Sequence, residues 1–217
     1  MVTDVLDKRA PAASGPRPPG TGGEGPRGDD GPRGGGPGPG ILGDPARFGL
    51  LAFLGTITML FVGFTSAYIL RRSSDDWGPL AAPPVLWANT AAILLSSAAL
   101  ERARRRLRGW DLAGARNAVL VTGLLGLVFV AGQVLGWRQL SARGVFLASN
   151  PHSSFFYVLT GVHALHLLGG LGWFTALLVR FRRMAILPGE DGLRQFATYW
   201  HFLGGLWLYL LWLLFVY

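Results

Sequence analysis

Residues 154–179 read SFFYVLTGVHALHLLGGLGWFTALLV. This run has no Asp, Glu, Lys or Arg. At about 1.5 Å per residue a helix of this length crosses roughly 30 Å of hydrocarbon. It nevertheless holds Thr160, His163 and His166. A polar side chain at that depth is costly unless it is paired or useful. Four further runs of similar character flank it, at about 48–70, 84–101, 117–137 and 197–217. Four of the five lack any internal charged residue; the run at 84–101 is diluted by Asn89, Thr90, Ser96 and Ser97. The chain is half hydrophobic and only 15% charged. These features predict an all-α integral membrane protein with five transmembrane helices and argue against a soluble bundle.

The net charge of +8 does not indicate a nucleic-acid partner. Residues 1–43 carry five Lys/Arg and five Asp/Glu and are neutral overall. The excess lies in short connections, Arg102 to Arg116 in one and Arg180 to Arg194 in another, on the same side as Arg47. Only Arg71, Arg72, Arg138 and Arg143 lie opposite. The positive-inside rule therefore predicts a cytoplasmic N-terminus and an outer C-terminus. The Arg-rich connections also suit anionic lipid headgroups, without specificity. Residues 1–40 contain no apolar stretch of the kind a secretory signal requires. The Gly/Pro/Arg-rich composition of 1–43 predicts a disordered tail, leaving 44–217 as the membrane domain. Without cysteine, disulfides and thiolate-held clusters are excluded.

Finer signals lie within the runs. Gly123, Gly126, Gly132 and Gly136 are small residues of the sort that let membrane helices approach closely. Pro83-Pro84 opens the second run, and the stretch from Glu101 to Arg108 reads as its helical continuation. Pro188-Gly189 reads as a turn. His163 and His166 are three apart and share one helix face. Counting residues from the run boundaries places His166 and His201 at similar depths, where they are expected to share a polar cluster facing the interior. Ligation of haem or metal, a proton relay, and hydrogen-bonded structural roles compete for these histidines. No Asp or Glu within the last two runs orients a ligand, and a relay ordinarily recruits intramembrane carboxylates. On physical grounds the structural reading leads. His152 reads as a solvated outer-loop residue.

At these residues the chain resembles subunit III of haem-copper oxidases, the cytochrome c and quinol oxidase family, in its five-helix bacterial form. The resemblance rests on Thr160-Gly161-x-His163-x-x-His166 closing with Gly169, and on Tyr199-Trp200-His201-Phe202 followed by Leu206-Trp207-Leu208-Tyr209. Supporting matches are Phe64 to Tyr68, Leu86-Trp87-x-Asn89-Thr90, Gln133, and Ser153-x-Phe155-Phe156, so that about 45–217 is covered in order. It implies two helices and three helices splayed around a lipid-filled cleft. It also implies a non-redox subunit without catalytic, cofactor or metal residues, packed against subunits I and II in a bacterial plasma membrane. Haem and copper would sit in the catalytic partner, and this chain would support oxygen reduction and proton uptake. On the resemblance His163, His166, Tyr199, Trp200, His201 and Asn89 are structural, lipid-contacting or subunit-contacting. An accessory protein of nitric oxide reductase and a bis-His haem-binding anchor are the alternatives. Three acidic positions of many relatives are Ile57, Gly136 and Gly204 here, which places any proton handling by those acids in doubt.

Overall fold

The computed structural model describes residues 44–78, 80–182 and 190–217. The tail expected over 1–43 and the turn expected at Pro188-Gly189 lie outside the described residues. Five helices follow in order: α1 Pro45–Arg72, α2 Val85–Arg108, α3 Leu112–Ala142, α4 Pro151–Arg182 and α5 Glu190–Phe215. No strand occurs among the described residues. All except α2 are long and apolar enough to cross a membrane. In α2 the polar quartet from Asn89 to Ser97 and the basic last turns lower the hydropathy, as its diluted sequence suggested. The helices overrun the apolar runs by several residues, because a membrane helix continues into the headgroup region wherever caps and charged side chains support it.

Those ends are chemically defined. Asp44 caps α1, its carboxylate accepting from the Ala46 amide at 3.0 Å, and Pro45 occupies the first turn, where no amide is needed. Asp111 caps α3 by accepting from Gly114 N at 2.8 Å, and its second oxygen binds Arg106 at 2.9 Å. The short α2–α3 connection contains Trp110 at φ 58, a left-handed conformation unusual for a bulky residue. At the start of α4, Asn150 and Ser153 cap reciprocally: Ser153 N donates to Asn150 Oδ1 at 2.8 Å, and Asn150 N donates to Ser153 Oγ at 3.1 Å.

The bundle divides into the α2–α3 hairpin and the α1–α4–α5 group. These two groups meet along α2–α5 and α3–α4, while α1 touches only α4 and α5 among the described helices. Close approach at the seams depends on small residues of α3. Gly123 lies under the Phe174 ring, Gly126 under Trp200 and Leu171, and Gly132 against the Asn89 amide. Gly136 faces Val85 and Leu86 at ordinary contact distance. In lipid, helix association relies on such packing rather than on expulsion of water. The three positions at which the resemblance expects acids are apolar or small here. Ile57 is buried in the core, and Gly204 packs beside Ser97 and Ile93.

Candidate functional site

The polar residues inside the bundle form ties between helices. On α5, Trp200, Leu203, Trp207, Leu210 and Leu214 recur at three- and four-residue spacing and are buried. That stripe turns Trp200 and Trp207 toward α2. Trp200 Nε1 donates to Ser96 Oγ at 3.1 Å, and Ser96 Oγ donates in turn to the Thr122 carbonyl of α3 at 2.9 Å. Trp207 Nε1 donates to Thr90 Oγ1 at 3.1 Å. A third indole repeats the pattern across α3–α4, where Trp137 Nε1 donates to Thr160 Oγ1 at 3.1 Å. Each hydroxyl also donates to a backbone carbonyl, so donor and acceptor are both satisfied.

Tyr199 is buried on the other flank of α5, where its hydroxyl donates to the His166 carbonyl at 2.8 Å. Its ring stacks with Phe53 of α1 at 6.1 Å and lies 5.9 Å from Trp173. Ala46, Leu50, Phe53, Gly169, Trp173, Gln195 and Tyr199 line a groove of about 390 Å³ between α1 and the α4–α5 pair. His166 is half-buried; its Nδ1 donates to the Val162 carbonyl at 2.8 Å, and its ring lies 6.2 Å from Phe61.

His163 is buried between Phe129 at 5.9 Å and Trp207 at 5.4 Å, and neither of its ring nitrogens has a protein partner among the described residues. The same holds for Asn89 Nδ2 and both amide atoms of Gln133. Asn89, Gln133 and His163 are thus each buried in the bundle with polar atoms that no described residue bonds. Gln133 lies one turn from Phe129 and one turn from Trp137, which touch His163 and Thr160 respectively.

Two expectations from the sequence need correction. His201 does not share an interior cluster with His166. The α5 stripe that buries Trp200 turns the neighbouring His201 to the exposed face, where Glu101 and Arg104 are its charged neighbours, whereas His166 faces α1. His152 is not a solvated loop residue. It sits in the first turn of α4 and is buried, with Nε2 2.9 Å from the Leu214 carbonyl and Nδ1 3.2 Å from the Gly78 carbonyl. Trp77 stacks on its face at 4.8 Å, with Tyr68 and Phe215 around its edge. Among the described residues no group of three or more His, Cys, Asp or Glu is placed to hold a metal ion.

The fold and these ties define a polytopic α-helical membrane protein whose intramembrane polar residues connect helix to helix. Comparison with known proteins makes that class specific. The family described as cytochrome c oxidase subunit III matches residues 42–217. Cytochrome c oxidase subunit 3 of Synechocystis sp. is 30% identical over 178 residues, covering 77% of this chain and 73% of the relative. The probable cytochrome c oxidase subunit 3 of Mycobacterium tuberculosis is 31% identical over 170 residues, 74% of this chain and 82% of the relative. The Gallus gallus protein of the same name is 28% identical over 176 residues, 76% of this chain and 66% of the relative. The chain belongs to the cytochrome c oxidase subunit III family.

Proposed function

We propose that this chain is a non-redox scaffold subunit of a haem-copper terminal oxidase. It packs against the catalytic subunit in a bacterial-type plasma membrane with its N-terminus in the cytoplasm, alongside subunit II. Haem and copper belong to the partner, which reduces oxygen to water, and this chain sustains proton uptake and turnover. The observation that carries the reading is the use of the intramembrane polar groups. Trp137, Trp200, Trp207 and Tyr199 each donate to a neighbouring helix, and His166 donates to its own backbone. His163 is enclosed by Phe129 and Trp207. In this reading Tyr199 and Trp200 tie the helices together, His163, His166 and Asn89 are structural residues packed between them, and His201, on the exposed face, meets lipid or a partner subunit.

The groove between α1 and α4–α5 supports a role in lipid contact. Its lining is largely apolar, with Trp173 and Tyr199 along one wall, which suits contact with part of one acyl chain. Removal of the chain from the assembled oxidase tests the proposal. The expected result is unchanged haem and copper content and an initial oxygen-reduction rate close to that of the intact complex, followed by faster loss of activity during turnover. Loss of a haem absorption band in proportion to the chain removed would overturn it.

A further inference from the structure

His152 joins three parts of the molecule at the end of the bundle where α1 and α5 finish and α4 begins. Its ring nitrogens face two carbonyl oxygens, Leu214 in the last turn of α5 and Gly78 in the α1–α2 connection. A carbonyl only accepts. A neutral imidazole has one N–H and one lone pair, so it can bond one of these oxygens and must turn a lone pair toward the other. The imidazolium has two N–H donors and satisfies both. We propose that His152 is a proton-dependent latch: protonated, it clips the α1–α2 connection to the ends of α4 and α5; neutral, it releases that connection.

The surroundings fit this role. The Leu214 carbonyl lies in the last turn of α5, where unpaired carbonyls favour a cation. Trp77 presents its face to the ring in a near-parallel stack of 14°, an arrangement that favours imidazolium. Burial acts most strongly against the charge and Arg72 of α1 less so, Arg72 being itself drawn over the Tyr217 ring at 4.7 Å. Tyr68 of α1 lies 6.1 Å from the ring, and Tyr217 beyond α5 faces Arg72. Asp76 in the connection is paired with Arg71 at 2.6 Å; Ser74 and then Arg71 hold its carboxyl below the ordinary range, so it stays ionised near neutrality. On deprotonation the remaining N–H keeps the shorter, buried bond to Leu214. The Gly78 contact is the one lost. That segment is otherwise held by the Trp77 stack and by the fit of Gly78 against Asn150, whose Nδ2 would lie 3.1 Å from any added Cβ.

The charged ring makes both bonds, so the latch holds at the acidic end of its range and opens as pH rises. Hydrogen–deuterium exchange of residues 73–78 in the intact complex, followed from pH 4.5 to 8.5 and corrected for intrinsic exchange, reads this directly. Protection of the Trp77 amide, bonded to the Ser74 carbonyl, should fall about ten-fold across the range, the size expected for one lost charge-assisted hydrogen bond. In His152→Gln it should be flat. Protection independent of pH in the unaltered protein, or an unchanged pH dependence in His152→Gln, would overturn the proposal. If that variant fails to assemble, ¹⁵N spectra of the ring, assigned through its contact with Trp77, serve instead. Two N–H signals at low pH giving way to an Nε2–H tautomer in step with loop exchange are expected. A single neutral tautomer throughout would refute the latch.

Discussion

Substitution of Gly123 by alanine probes the α3–α4 seam. A Cβ at this position would stand 2.3 Å from Cε1 and 2.6 Å from Cζ of Phe174, whereas ordinary van der Waals contact begins at 3.4 Å. The ring would have to retreat by more than 1 Å, and it is itself packed against Phe196 at 5.9 Å between ring centroids. Overpacking of this kind costs about 1–3 kcal/mol. Alanine recovers up to about 1 kcal/mol of helix propensity. The expected net loss is therefore on the order of 1–2 kcal/mol. Gly172→Ala is the matched control, because nothing lies within 4 Å of a Cβ there and only the propensity gain remains. Thermal unfolding of the purified chain in detergent, followed by tryptophan fluorescence, should show the midpoint lowered in Gly123→Ala and unchanged or raised in Gly172→Ala. Equal behaviour of the two variants would mean that α3 and α4 are not in the contact described.

Three other outcomes are expected. Trp200→Phe and Ser96→Ala should couple by about 0.5–1.5 kcal/mol in a double-mutant cycle on the same unfolding assay, since each removes one end of a single buried hydrogen bond. His163→Leu should leave the stability of the isolated chain unchanged or slightly raised, because it replaces two unpartnered nitrogens by apolar atoms between Phe129 and Trp207; a loss above about 1 kcal/mol would reveal a hydrogen bond to His163. Deletion of residues 1–40 should leave membrane insertion intact, as assayed by carbonate extraction, and failure of the oxidase to assemble would identify the tail as a partner-binding element.

The helices were legible because lipid imposes a simple rule on sequence: long runs without charge must fold their backbone polar groups inward. The rule was weakest for α2, whose Asn89, Thr90, Ser96 and Ser97 lower its hydropathy, yet two of them serve the interior: Thr90 and Ser96 receive the indoles of Trp207 and Trp200. Those polar residues were a packing signal as much as a dilution. The outward turn of His201 was also readable, since the Trp200–Leu203–Trp207 spacing already assigns the opposite face of α5. Counting residues gives depth along a helix but not rotation about it, and the expected pairing with His166 failed for that reason. His152 was different in kind. Its neighbours Pro151 and Ser153 suggest a loop, and its partners Gly78 and Leu214 are 74 and 62 residues away. No local pattern encodes that contact. The spacing of Gly123, Gly126, Gly132 and Gly136 did indicate close helix approach, and the structure supplies what the spacing lacked, the identity of each facing side chain.

The central claim is that this chain supports an oxidase without holding its redox centre. Gentle affinity purification from the native membrane, with mass spectrometry, metal analysis and an absorption spectrum, tests it most directly. The account predicts co-purification of a large haem- and copper-bearing subunit, oxygen consumption by the eluate, and no haem band from this chain once it is separated from its partners. A haem spectrum that stays with the separated chain would contradict it and make its histidines ligands.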